Sequence, residues 1–184
     1  MKSGLIILDS LYGFVSQNRD VPHRTKDRTV YLSYKKLVLD LLTNVPKDPG
    51  WYAWFKRSNV PPPIYIGQSS IGKTSSLNAR LEEELLEEYV AFWSFVDDTA
   101  ADKLKAKYGG KYSQVRAMKK RGSDSIVWIA FPSARRGTLD IIEHKLIWDL
   151  KPSANNDRRD YSDIVHENYN EVRSIMERAF TPSG

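Results

Sequence analysis

The sequence predicts one domain of the α+β class, built from a small, mainly antiparallel three-stranded sheet flanked by helices, with helical additions at both ends. A length of 184 residues suits a single compact domain, which we expect to cover 1–184. Two short apolar strand patterns, joined by a Pro-rich connection, favour an antiparallel hairpin. Longer stretches with helical periodicity precede and follow them. The chain shows no internal repeat and no linker that would divide it.

The individual elements follow from periodicity and from residues that interrupt helices and strands. In order, they are a helix over 31–44, strands over 51–55 and 64–66, a helix over 74–92, a strand over 126–131, and helices over 138–150 and 162–180. Pro46 and Pro152 end the helices before them, and Ser162 is the predicted N-cap of the last helix. The strand over 126–131 (IVWIAF) barely alternates, so we expect both of its faces to be buried.

Composition narrows the class of protein. The chain has no cysteine, which excludes disulfides and cysteine-ligated zinc and fits a reducing compartment. The apolar run over 5–8 stops at Asp9 and is too short for the core of a signal peptide, and no stretch approaches a membrane span. We therefore expect a cytoplasmic protein without a membrane partner.

Positive charge is concentrated in one segment. The formal net charge is only +5, but residues 103–121 hold eight Lys and Arg and no Asp or Glu. Such a run is often a solvated face; it also matches the electrostatic footprint of a protein that binds nucleic acid. We interpret 93–122 as a basic, partly helical insertion that contacts DNA phosphates.

Residues 67–74 (GQSSIGKT) match the pattern of a phosphate-binding P-loop, and they follow a strand and precede a helix. In that interpretation Lys73 would contact phosphates and Thr74 would hold magnesium. P-loop folds need several parallel strands, whereas the strand before this loop is predicted to pair antiparallel with its neighbour. The apolar strand downstream runs into Pro132 and Ser133 rather than into a magnesium-holding aspartate. A P-loop nucleotide-binding enzyme remains an alternative.

The hairpin carries two tyrosines that alternate with apolar residues. Side chains point to opposite faces along a strand, so Tyr52 lies opposite Trp51 and Ala53, and Tyr65 lies opposite Ile66. The two phenols can therefore converge on one side of the sheet. Taken alone, they are by default ordinary strand aromatics, which are common.

Three further polar residues stand out. Glu143 falls within the apolar arc of its helix, where a carboxylate is costly unless a cation or strong hydrogen bonds compensate it. A bound divalent metal would do so, as would an ion pair, for which Arg80 is a candidate. Arg80 could instead pair with Glu84 or Glu87 at helical spacing. Asn155 follows Pro152 and would by default be an ordinary loop residue.

Together these residues resemble the GIY-YIG nuclease family. The elements GWY (50–52), YIG (65–67), Leu77-x-x-Arg80-Leu81, Glu143 and Pro152-x-x-Asn155 occur in the family's order, over about 49–156. Gly50 and Gly67 belong to the two strand motifs. Trp51 departs from the small aliphatic residue usual in the first motif. The long intervals before and after Arg80 are most similar to the restriction endonucleases of the family.

The resemblance implies a metal-dependent endonuclease that hydrolyses DNA phosphodiesters to 5′-phosphate and 3′-hydroxyl ends. Glu143 would hold one Mg²⁺ or Mn²⁺ ion. Tyr52, or as second choice Tyr65, would activate the water, with its pKa lowered by Arg80 or by the metal. Arg80 would also neutralise charge on the phosphate, and Asn155 would orient the metal's ligands.

Double-stranded DNA is the expected partner. The phosphate contacts are expected from Lys111, Arg116, Lys119, Lys120, Arg121, Arg158 and Arg159. A homodimer would bring two active sites to the two strands. A non-catalytic DNA-binding module is the remaining alternative.

Overall fold

The computed structural model describes residues 1–17, 28–58, 63–69, 76–86, 122–155 and 159–181. Within these ranges the elements, in chain order, are β1 (Lys2–Ile7), α1 (Asp9–Gln17), α2 (Arg28–Leu41), β2 (Gly50–Phe55), β3 (Tyr65–Gln68), α3 (Leu77–Leu86), β4 (Ser125–Ala130), α4 (Arg136–Leu150) and α5 (Tyr169–Phe180). The α+β class is confirmed. None of the helices in these ranges combines the length and apolarity needed to cross a bilayer.

The sheet has four strands in the order β1-β4-β2-β3, and every pairing is antiparallel. The prediction of three strands is therefore wrong. The missed strand, β1, pairs with β4 along its whole length. It lies at an edge of the sheet, so only Ile6 is buried while Leu5 and Ile7 stay partly exposed. A single inward residue beside two exposed apolar ones gives a weak strand pattern, so the sequence predicts only a short apolar run there.

Helices cover both faces of the sheet. Apolar residues of α1, α2 and α3 pack with one face, which includes Tyr52 and Trp54 of β2. Residues of α4 and α5 pack with the other face, which includes Trp51 and Ala53. The central strands β2 and β4 are buried at every position, which confirms the expectation for 126–131. A strand covered on both sides has no solvent face, and its sequence therefore loses the alternation of polar and apolar residues.

Several predicted boundaries shift. The helix predicted over 31–44 corresponds to α2, which begins at Arg28 and ends at Leu41. Helix α1 was not predicted. The predicted helix over 74–92 is described only as α3, because residues 70–75 and 87–121 lie outside the described ranges. The last helix begins at Tyr169, so Ser162 is not its N-cap; Asn168 takes that position without a capping side-chain hydrogen bond.

Candidate active site

The hairpin brings Tyr52 and Tyr65 to the same face of the sheet. In the β2–β3 register Tyr52 lies opposite Gly67 and Trp54 lies opposite Tyr65. The ring centroids of the two tyrosines are 6.2 Å apart. Tyr52 is fully buried, whereas Tyr65 is only partly buried on the edge strand. Tyr65 is therefore the less deeply buried phenol of the pair.

At both Gly50 and Gly67, another group of the protein lies too close to the backbone for a side chain to fit. A Cβ at Gly67 would lie 2.5 Å from Cζ and from the hydroxyl oxygen of Tyr52, so only glycine leaves room for the ring. A Cβ at Gly50 would lie 2.0 Å from the carbonyl oxygen of Ile129 on β4. The two motif glycines thus set the position of the Tyr52 ring and the spacing between β2 and β4.

Glu84 of α3 is the carboxylate that the tyrosine cluster surrounds, and it is only 3% exposed. The Tyr52 hydroxyl donates to its Oε1 at 2.5 Å, and the Trp54 indole donates to its Oε2 at 3.1 Å. Helical spacing alone predicts Glu84 only as a salt-bridge partner of Arg80. A usable signal was present: at about 100° per residue, Glu84 falls next to Leu77, at the border of the apolar arc of its helix. That is the same argument that singled out Glu143.

Arg80 joins this cluster from the same helix. Its Nε donates to the Tyr52 oxygen at 3.3 Å, and its two terminal nitrogens lie 2.9 Å from Glu84 and 2.8 Å from Glu83. The planar guanidinium makes these three contacts through three separate nitrogens held in a fixed geometry. Arg80 therefore pairs with the carboxylates of its own helix rather than with Glu143.

The electrostatics of Tyr52 run opposite to the expectation. Burial raises the pKa of the Tyr52 phenol well above its usual value, and the negative charge of Glu84 raises it further. Arg80 lowers the pKa of Tyr52, but burial and Glu84 outweigh it. Burial also raises the pKa of Tyr65, with added contributions from Glu84 and Glu143. Both phenols are therefore neutral, and Tyr52 acts as a hydrogen-bond donor to Glu84.

Glu143 lies on α4 and reaches the β3 edge of the sheet. The buried residues of this helix are apolar, and Glu143 itself is only partly buried. Its Oε2 accepts a hydrogen bond of 2.8 Å from the side-chain amide of Gln68, which also donates to Asp140. Its charge is near enough to raise the pKa of Tyr65. Glu143 thus stands at the border of the tyrosine cluster rather than in the centre of the core.

The carboxylates of Glu143 and Asp140 offer the oxygen ligands that a hard cation such as Mg²⁺ prefers. Within the described ranges, no three or more His, Cys, Asp or Glu side chains come together. Mg²⁺ does not need such a group, since it commonly binds one or two carboxylates and fills its shell with water and substrate phosphate. Glu143, with Asp140 hydrogen-bonded to the same Gln68 amide, fits that pattern of oxygen ligands.

Asn155 contacts the backbone of β3. Its Oδ1 accepts from the Ile66 amide at 2.9 Å, and its Nδ2 donates to the Ile66 carbonyl at 2.8 Å. This side chain thereby extends the hydrogen-bond ladder at the outer edge of β3, between Tyr65 and Gly67. The contacts hold the strand that carries Tyr65 in place, and none of them involves Glu143.

Most of the predicted DNA contacts lie outside the described residues: Lys111, Arg116, Lys119, Lys120, Arg121 and Arg158. Arg159 is exposed, with a terminal nitrogen 3.2 Å from Nε2 of His144 and its guanidinium over the ring of Tyr161. In the P-loop alternative, Lys73 and Thr74 also lie outside the described residues, while the strand before the loop is antiparallel to β2.

Comparisons with protein-family models, with curated proteins and with solved structures find no match to this chain. The geometry of the site therefore carries the functional proposal.

Proposed function

We propose that the chain is a divalent-metal-dependent endonuclease with an active site of the GIY-YIG type, which hydrolyses DNA phosphodiesters to 5′-phosphate and 3′-hydroxyl ends. The observation that carries this proposal is the cluster of Tyr52, Tyr65 and Arg80 on one face of a hairpin, with Glu143 at its border. Phosphoryl transfer needs a cation near the phosphate, a group that handles the proton of the attacking water, and a ligand for the metal. This cluster contains a candidate for each.

Each residue has a role that its surroundings support. Glu143 would hold Mg²⁺ or Mn²⁺, one ion per site, through an oxygen ligand that Gln68 orients. The ion, when bound, supplies Lewis-acid stabilisation of the scissile phosphate and of the leaving oxygen. Arg80 would neutralise phosphate charge, and Tyr65, the more accessible phenol, would face the attacking water. Asn155 would keep Tyr65 in place through β3.

The wider proposal covers the biological setting. We propose a restriction-type, sequence-specific role on double-stranded DNA, a cytoplasmic location that suits a chain without cysteine, and a homodimer that cuts both strands. The basic segment 103–121, with Arg158 and Arg159, would hold DNA outside the active site. Binding through phosphates predicts that affinity falls steeply as salt rises, and a salt-independent affinity would remove the basic segment from the interface.

The test compares cleavage by wild type, Glu143→Gln and the control Glu171→Gln, an exposed carboxylate on α5. Plasmid and phage DNA are incubated with Mg²⁺, Mn²⁺ or EDTA. We expect metal-dependent cutting by wild type and by the control, and a loss of at least about a hundredfold in Glu143→Gln. Discrete bands would support a restriction role, and a smear would contradict it.

The two alternatives predict different results when the binding of nucleotide and of DNA is measured beside cleavage. A P-loop enzyme would bind ATP or GTP and lose that binding in Lys73→Ala, whereas the nuclease should keep its activity in this variant. A DNA-binding module would bind DNA and cut nothing. Either result would overturn the proposed nuclease.

A further inference from the structure

We propose that β1 is the surface through which two copies of this chain associate, their β1 strands pairing edge to edge and antiparallel around a two-fold axis. The inference rests on the homodimer of the proposed function and adds to it the strand and the register that form the interface. It starts from the hydrogen-bonding groups at the β1 edge of the sheet.

The backbone of β1 directs half of its hydrogen-bonding groups away from the sheet. The Leu8 amide donates at 2.9 Å to the carbonyl of Asp124, which continues the β1–β4 register by one residue. Peptide groups alternate in direction along an antiparallel strand, so the even-numbered residues of β1 bond to β4. The N–H and C=O groups of Ser3, Leu5 and Ile7 therefore point outward, and none of the residues that the structure describes forms a backbone hydrogen bond with them.

The two edges of the sheet differ in how they are protected. At β3, the Asn155 side chain bonds to both outward groups of Ile66. At β1, the six residues Lys2–Ile7 continue in register without a bulge, contain no proline and carry one charged residue, at the end of the strand. Bulges, prolines and charges are the usual means by which proteins prevent an edge from pairing, so the β1 edge is suited to accept another strand.

Exposed apolar side chains accompany these backbone groups. Leu5 and Ile7 are 47% and 41% exposed. Both lie on the face of the sheet that α4 and α5 cover, since Leu5 is opposite Val127 in the register. Opposite and diagonal neighbours contact each other on one face of an antiparallel pair. Pairing of two β1 strands would therefore remove these side chains from water.

Symmetry and the outward groups select one register. With Leu5 on the two-fold axis, Leu5 pairs with the partner's Leu5, and each Ser3 pairs with the partner's Ile7. All outward residues of β1 are then in hydrogen-bonded pairs, each of which exchanges two bonds. A displacement by two residues leaves one pair fewer. In the selected register Ile7 is also diagonal to the partner's Leu5, so the apolar side chains form one continuous strip.

The charges at the two ends of β1 favour a second copy of this chain as the partner. Lys2 begins the strand, and Asp9 follows its other end. In the selected register Lys2 lies opposite the partner's Leu8, next to the partner's Asp9, whose exposed carboxylate also binds Arg57. The interface therefore brings a cation of each copy to a carboxylate of the other. A parallel arrangement would instead place Lys2 beside its own copy.

The proposed active site stays outside this interface. β1 and β3 are the two edge strands of the sheet, so pairing through β1 leaves the β3 edge, with Tyr65 and Asn155, uncovered by the partner. Two four-stranded sheets would join into one sheet of eight strands, which is within the usual size range.

The first measurement is the dimerisation Kd, obtained by sedimentation over a range of protein concentrations. Wild type is compared with Leu5→Lys, which places like charges opposite each other on the axis. The control is Leu39→Lys, which changes a leucine of α2 that is 42% exposed and adds the same charge. We expect wild type and the control to dimerise with a Kd of about 1–100 μM, as for a small interface, and Leu5→Lys to raise the Kd by at least about tenfold.

Hydrogen exchange identifies the surface. The amides of Ser3, Leu5 and Ile7 should exchange at least about tenfold more slowly at about 1 mM protein than at about 1 μM, because dimerisation protects them. The Ile6 amide, which points to β4, should be protected at both concentrations. This comparison uses wild type alone, so it decides the proposal even if Leu5→Lys does not fold.

The outcomes separate the interface from the nuclease. Wild type that is still a monomer at about 1 mM overturns both the inference and the proposed homodimer, and leaves the cleavage assay to decide the nuclease. A dimer with the same Kd in Leu5→Lys, or with outward β1 amides that exchange equally at both concentrations, uses another surface and overturns the inference alone. Wild type that pairs through β1 but cuts no DNA supports the interface and overturns the nuclease.

Discussion

The ring of Tyr52 lies directly over Gly67, its partner in the β2–β3 register, so that a Cβ on Gly67 would lie 2.5 Å from the phenol oxygen. The second glycine motif of the hairpin therefore makes space for the tyrosine of the first. Each motif is weak when considered alone, but in the fold they form one unit. Its integrity determines where the hydroxyl of Tyr52 points.

Gly67→Ala should displace the Tyr52 ring and destabilise the protein by about 1–3 kcal/mol, the usual cost of overpacking a core. Urea denaturation measures the change in the free energy of unfolding. Gly137→Ala is the control, because a Cβ at Gly137, in the first turn of α4, meets nothing within 4 Å and alanine favours helices. A Gly67→Ala variant as stable as Gly137→Ala would contradict the described packing.

Removing Arg80 should lower the free energy of unfolding, because the buried charge of Glu84 then has no compensating cation. Arg80→Met leaves a buried carboxylate without its cation, and we expect a loss of about 3–5 kcal/mol in unfolding free energy. Adding Glu84→Gln should recover part of that loss, since the uncompensated charge is then absent. A double-mutant cycle by urea denaturation gives the coupling energy. Strictly additive effects would mean that the two side chains do not interact.

Glu84 should also make stability depend on pH. Its pKa in the folded state is raised, chiefly by burial, above the ordinary value of 4.5. A raised folded-state pKa means that the stabilising contribution is fully present below the unfolded-state pKa and is lost as pH rises through the folded-state pKa. The difference in unfolding free energy between wild type and Glu84→Gln should therefore change with pH between the unfolded-state and the folded-state pKa of Glu84. Above the folded-state pKa the difference should level off. A difference that is constant with pH from about 4 to 8 would place the pKa of Glu84 at its ordinary value.

Asn155→Asp tests the attachment of β3. The carboxylate can still accept from the Ile66 amide, but it cannot donate to the Ile66 carbonyl and would face it with negative charge. We expect a loss of about 1–3 kcal/mol, with faster hydrogen exchange at the Ile66 amide than in the control Asn170→Asp, an exposed position of α5. If Asn155 instead served only to orient the metal's ligands, stability would be unchanged and the Mg²⁺ requirement alone would shift.

Local patterns in the sequence were enough to predict much of the fold. Alternation in β2 placed Tyr52 opposite Trp51, and the uninterrupted apolar run of β4 indicated a strand with two buried faces; both features are present in the fold. They could be predicted because each depends on neighbours one or two residues away in the chain. The weakly patterned edge strand β1 was missed for the same reason, since only its pairing with β4 defines it.

The sequence by itself determined which polar side chains stand out: two tyrosines on one face of a hairpin, an arginine at the border of one apolar helix stripe, and a carboxylate within another. Only the tertiary structure decided their partners. It brings Tyr52 to Glu84, 32 positions away, and to Arg80, 28 positions away. It also brings Glu143 to Gln68, 75 positions away. Burial of these groups then raises the pKa of Tyr52, and burial is a property of the packed chain, not of any local segment.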